Sequence, residues 1–228
     1  MKFTYDEYES ILWNLKEHFN LSLLQDADHK IRDRDRICFI RHDVDLSVDK
    51  ALEMALIEKE NKVRSTYHVF YECPFYSVHD KDTKRKLKEI ISLGHEVGIH
   101  TNNRLPSEIN FEIMGLESAL DTQIKSMSFN RPEKDEVFTQ FMHYEKDIII
   151  YAYSKKLMEW YVSDSRGEWR VDLKQELKER DSQVLQILIH PFWWDDDITT
   201  PQTKLKDFIK HRFYKEKRQL EQHKGLGS

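Results

Sequence analysis

Residues 37–45 read Ile37-Cys38-Phe39-Ile40-Arg41-His42-Asp43-Val44-Asp45. Four apolar β-formers run without alternation into a charged cluster, the pattern of a strand buried on both faces. Ser47 then stands at an N-cap position, ahead of Val48, Ala51, Leu52, Ala55 and Leu56 at helical spacing. The stretch predicts a strand over 37–40, a polar strand end and a helix, so the chemistry collects where a strand hands over to a helix.

The same alternation repeats on either side. Thr4 with Glu7 forms a capping box, and Tyr8, Ile11, Leu12, Leu15 and Phe19 extend it into an amphipathic helix over 4–19. Residues 25–36 form a polar connection. Strands are predicted over 65–70, 97–99, 127–129, 148–153, 160–163 and 184–189. Helices are predicted over 82–93, closed by Gly94, and over 107–124. Thr200-Pro201 opens a long charged helix with Leu205, Phe208 and Ile209 inward. Alternating strands and helices with apolar strands give an α/β fold with a parallel sheet or barrel, its site at the carboxyl ends of the strands.

Composition bounds the partners. The chain has 228 residues, 36 Lys and Arg against 41 Asp and Glu, and a net charge of −5, which speaks against nucleic acid. Hydrophobic residues at 39% and aromatics at 12% suit an ordered globule, read as one domain over 1–228. Residues 1–36 are its N-terminal helix and connection, and 200–228 its C-terminal helix. Cys38 and Cys73 form no Cys-x-x-Cys pair, so no disulfide framework is suggested. No apolar run reaches the length of a signal peptide core or a membrane span, and a cytoplasmic location is expected. The oligomeric state is not legible.

The strand-end rule selects His42, Asp43 and Asp45 after the first strand, His68 after the second and His100 after the third. It then selects Asn130 and Arg131, Asp164, and His190 with Trp193 and Trp194. Carboxylates and imidazoles around one mouth compose a metal-dependent hydrolytic site. In an extended chain Asp43 and Asp45 point one way, and His42 and Val44 the other. An isolated Asp-x-Asp is more often structural, with Asp45 merely starting the helix and His42 a bonded core histidine. His95 and His100 lie too far apart to chelate as a helical pair, and His95 suits a bond at the strand entry. Trp193 and Trp194 suit either a stacking platform for a sugar or a core cap. Asp195-Asp196-Asp197 reads as a solvated turn.

In order and spacing these residues resemble the polysaccharide deacetylase (NodB-like) superfamily, in particular its divergent members associated with surface-polysaccharide biosynthesis. The resemblance runs from Ile37 to Trp194. Arg41-His42-Asp43-Val44-Asp45 takes the place of the family's Thr-Phe-Asp-Asp-Gly. The resemblance therefore implies Asp43 as general base and Asp45 as the displaced metal carboxylate. Gly94-His95-Glu96-Val97-Gly98-Ile99-His100-Thr101 matches the second motif, with His100 as metal histidine, but Arg104 stands where a further histidine ligand is expected. His68, His42 or Asn103 are candidates to compensate. Asn130-Arg131-Pro132 is similar in place to the active-site wall, Asp164 to a later strand-end Asp, and His190 to the general acid.

The resemblance implies an irregular (β/α) barrel of about seven parallel strands that removes an N- or O-acetyl group from a sugar or saccharide precursor. Its cofactor would be a divalent metal, zinc in the first instance, held by Asp45 and His100. Trp193 and Trp194 would stack on the sugar. The alternative is a catalytically degenerate carbohydrate-binding or scaffold protein of the same fold, whose sugar binding survives a chelator. A metal phosphohydrolase dyad at His42-Asp43 ranks below both.

Overall fold

The computed structural model describes residues 2–31, 35–103, 105–132, 143–144 and 147–223. Thr4 caps α1 (Tyr5–His18) by accepting from the Glu7 amide, as the capping box predicts. After β1 (Asn20–Ser22) and the short α2 (Ala27–Lys30) comes β2 (Ile37–Val44), longer than the sequence suggested because Arg41 to Val44 continue the strand. Ser47 caps α3 (Val48–Glu60), and β3 (Thr66–Val69) follows. Next are α4 (Lys81–Ser92), β4 (Glu96–Thr101), α5 (Pro106–Leu120) and β5 (Ser126–Phe129). A small antiparallel pair, β6 (His143–Tyr144) with β7 (Asp147–Ile148), precedes β8 (Ile150–Tyr151). The chain ends through β9 (Trp160–Ser163), α6 (Leu173–Glu179), β10 (Val184–Ile189) and α7 (Pro201–His223).

Seven strands pair in the order β8-β5-β4-β3-β2-β10-β9, every pairing parallel, and β1 lies beside the first half of β2. Helices cover one face of this curled half-barrel. Among the described residues no ladder joins β9 to β8. The curl is nevertheless tight: Gln186 of β10 donates to the carbonyl of Ala152 just past β8, at 2.7 Å across the interior.

Period two sorts β2 into two faces. Cys38 and Ile40 point outward and pack under α1 with Ile11, Leu12 and Leu15. Ile37 and Phe39 point inward, where Leu24, Ala27, Ile150, Ala152, Leu157 and Val184 join them and close the lower end of the half-barrel. Each such buried Leu, Ile or Phe contributes about 1.5–3 kcal/mol. Above that plug the inward positions turn polar, which the expectation of uniformly apolar strands did not foresee.

The C-terminal helix departs from its sequence reading. Ile209 is 65% exposed and Leu205 is also exposed, whereas Phe208 packs on Phe75 and Phe192. Of the three expected inward residues only Phe208 is half-buried, because the helix meets the body along one edge, through Lys204, Phe208 and Arg212. No helix among the described residues is long and apolar enough to cross a membrane.

Candidate active site

Extended backbone carries Arg41 and Asp43 to the same inner face, and Asp45 follows one step past the end of β2. Arg41 binds Asp43 with two nitrogens, Nε to Oδ1 at 3.1 Å and Nη2 to Oδ2 at 3.2 Å, both side chains being buried. The same guanidinium donates to Gln186 Oε1 and to the Tyr153 hydroxyl. Burial alone would raise the Asp43 carboxyl. The Arg41 charge, with His100, His68 and His190 behind it, wins and holds it well below the usual carboxylate range.

Asp45 is 35% exposed and is the mouth's accessible carboxylate. Its Oδ1 stands 3.3 Å from His100 Nε2, and its Oδ2 3.9 Å from His190 Nε2. His190 follows β10, and its Nδ1 lies 2.7 Å from Oδ1 of Asp164, which is fully buried beyond β9. Asp164 also accepts the His190 amide and the Trp194 indole N–H. Burial pushes the His190 imidazole down. The Asp164 hydrogen bond and charge, with Asp43 and Asp45, overcome that and raise it to about 9. The mouth thus sets a proton-bearing imidazole opposite a carboxylate and a second imidazole.

Asp43, Asp45, His100, Asp164 and His190 therefore converge, with His68 just beneath them at 3.9 Å from Asp43 Oδ1, and the other expected residues do not. His42 points outward as period two requires, with Nε2 2.8 Å from Glu58 Oε1 on α3. Glu58 is fully buried and also accepts from the hydroxyls of Tyr8, Ser65 and Tyr67. His68 lies inside the half-barrel below the mouth, its two nitrogens each 2.8 Å from the hydroxyls of Ser128 and Ser126. Asn103 donates to Glu112 of α5. Arg131 is exposed just past β5 with a positive φ of 53°. Arg104 lies outside the described residues. Trp194 is fully buried with its N–H on Asp164, so it fixes the Asp164–His190 pair and presents no open face. Trp193 is half-buried against Phe192 and keeps a partial face. His95 accepts the Ser65 amide at Nδ1 and bonds the Ala55 carbonyl through Nε2, the strand-entry role expected of it.

Sequence reading missed Arg41, Gln186, Ser126, Ser128 and Glu58. The signal for Arg41 was present: the period that aligned Asp43 with Asp45 also aligns Arg41 with both. Ser126 and Ser128 alternate on β5 in the same way, but single hydroxyls carry no motif.

For a divalent ion the donor set is half complete. Asp45 Oδ1 is buried without a hydrogen-bond partner and faces the nitrogen His100 Nε2, a carboxylate and imidazole pair suited to one ion. Among the described residues no group of three His, Cys, Asp or Glu side chains could hold a metal ion.

No protein-family model and no curated protein matches the chain. Among solved structures it is similar to BA3943 of Bacillus anthracis, a CE4 family pseudoenzyme, at 15% identity over 78% of this chain and 62% of that one, with a TM-score of 0.44. It is similar to the deacetylase PplD of Streptococcus pyogenes at 12% identity, over 58% of this chain and 66% of that one, with a TM-score of 0.46. It is also similar to the peptidoglycan deacetylase PdaC of Bacillus subtilis at 15% identity, over 82% of this chain and 97% of that one, with a TM-score of 0.44. The chain thus spans less than two thirds of BA3943 and just under two thirds of PplD. Each likeness concerns the course of the chain.

Proposed function

We propose that the protein is a hydrolase that removes an acetyl group from a sugar or saccharide precursor, with its site at Asp43, Asp45, His100 and His190. The observation that carries this reading is the His190–Asp164 pair at 2.7 Å, which keeps a proton on the imidazole to about pH 9 while its Nε2 faces Asp45 at 3.9 Å. Such a group can donate to a leaving amine or alkoxide at neutral pH. Asp43, kept ionised by Arg41, is the proton acceptor for an attacking water, and the strength of that ion pair limits its basicity. A divalent ion, zinc by the resemblance, would be held by Asp45 and His100 and would supply a Lewis acid for the acyl carbonyl. Trp193 offers the remaining aromatic face for a sugar ring.

His190→Ala tests the reading. It is expected to slow hydrolysis of a poorly leaving acetamide by about 10²–10⁴-fold and that of an activated aryl acetate much less. Equal slowing of both substrates removes His190 from the acid role. Elemental analysis after stripping and zinc refilling is expected to return about one ion per chain in the wild type and none in His100→Ala.

A second reading, a sugar-binding protein of this fold without turnover, is favoured by the incomplete set of metal donors among the described residues. It predicts sugar binding unchanged by a chelator and no release of acetate.

A further inference from the structure

Beneath the mouth, the inner faces of β3, β4 and β5 carry a continuous polar line. Glu96 Oε1 lies 2.6 Å from Ser126 Oγ, Ser126 Oγ 2.8 Å from His68 Nε2, and His68 Nδ1 2.8 Å from Ser128 Oγ. Ser128 Oγ lies 2.7 Å from His100 Nδ1, and His100 Nε2 faces Asp45 at the surface. Glu96, Ser126, His68, Ser128 and His100 are all buried, so no bulk water relieves a mismatched link. Gly98 sits between Glu96 and His100 on the same face. A Cβ there would run into the His68 ring and come within 2.5 Å of Ser126 Oγ, so the line occupies the space that the missing side chain leaves.

We propose that this line is a one-way hydrogen-bond relay, set by Glu96, that fixes the tautomer of His100 so that its Nε2 meets the mouth as a lone pair. The direction follows from proton counting. Thr66 Oγ1 accepts the Leu24 amide, which turns its own hydrogen to Glu96 Oε2, and the Gln25 amide donates to the same oxygen. Burial raises the Glu96 carboxyl and the Ser126, Thr66 and Gln25 donors oppose that; with the carboxyl ionised at the pH of the test below and Oε2 so filled, Oε1 takes the Ser126 hydrogen. Ser126 then has only a lone pair for His68, so His68 carries its hydrogen on Nε2. Burial holds that ring neutral by pushing its pKa well below the ordinary value, so Nδ1 is an acceptor. Nδ1 takes the single hydrogen of Ser128. Ser128 is left to accept from His100, whose hydrogen is therefore on Nδ1. Asp43 Oδ1, at 3.3 Å the longest of the three neighbours of Ser128 Oγ, is the more distant acceptor of that hydrogen, and Ser128 accepts from His100 whichever of the two takes it.

Glu96, Ser126, His68 and Ser128 are thus positioning residues, and the relay serves the proposed site by presenting a nitrogen that accepts rather than donates. The inference uses the proposed reaction for its purpose, not for its geometry.

The test is ¹⁵N-histidine NMR of the full chain at pH 8, in which long-range ring correlations report which nitrogen of His68 and His100 bears hydrogen. The expected pattern is Nε2–H for His68 and Nδ1–H for His100, and the opposite pattern on His68 overturns the relay. Glu96→Gln should keep its amide oxygen on the Thr66 and Gln25 donors and turn its NH₂ to Ser126, which moves the His68 hydrogen to Nδ1. An unmoved His68 in folded Glu96→Gln overturns the proposal. Ser126→Ala, which leaves no clash, should uncouple His68 from the residue at 96. A His68 tautomer that still follows the Glu96→Gln change in that background overturns the route. Predicted tautomers with no acetate release would discard the hydrolase and retain the relay.

Discussion

The two faces of the sheet each bury a carboxylate completely and use it differently. On the outer face Glu58 gathers Tyr8 of α1, His42 of β2, and Ser65 and Tyr67 at β3 into one knot. On the inner face Asp43 is tied by Arg41 yet lies within 4.0 Å of His100, next to the open mouth. Equal burial therefore does not mean equal role. The outer carboxylate faces only donors and packing, so it holds elements together, whereas the inner one borders groups that solvent or a ligand can reach.

The largest break in this comparison is Glu58→Ala. Removing one partner of a buried, charge-assisted knot leaves its donors unpaired and should cost about 3–5 kcal/mol, read from the urea midpoint. Turnover per folded molecule should be unchanged, and a loss below about 1 kcal/mol would erase the distinction between the faces.

Titration sharpens the same contrast. Burial would raise the Glu58 carboxyl, but His42 and His95, with the Ser65 hydrogen bond, hold it near 2, below its ordinary 4.5. A depressed carboxyl contributes stability that is present above pH 4.5 and is lost as pH falls through about 2. His190, raised from 6.5 to about 9, contributes stability that is present below pH 6.5 and is lost as pH rises through about 9. Each contribution is on the order of 3 kcal/mol at most. Urea midpoints measured across pH should fall at both ends, and Glu58→Ala should flatten only the acid limb.

The smallest expected effect is Gly98→Ala on the inner face. Overpacking there should cost about 1–3 kcal/mol, again by urea unfolding. Its perturbation should centre on the His68 ring resonances and leave those of Tyr8 and Tyr67 in place, since they lie on the opposite face.

The sequence made the alternation of strands and helices legible because several helices carry their own cap or stop, as with Thr4, Ser47 and Gly94. The order of strands around the half-barrel was not legible, because parallel pairing joins residues far apart in the chain. Within the site, period two placed Asp43 with Asp45 and turned His42 away, since it needs only extended backbone. Trp194 defeated sequence reading because an indole that caps a buried aspartate and one that stacks on a sugar have the same neighbours in sequence. Ser126 and Ser128 were invisible for a related reason: each finds its partner on an adjacent strand.

That polar interior also bears on how the molecule opens. Peeling any one of β3, β4 or β5 away would strand hydroxyls and imidazoles belonging to its neighbours, so these strands have no cheap partial unfolding. Their amides should exchange with deuterium together, and only through cooperative loss of the whole sheet, while those of the rim helix α7 exchange early.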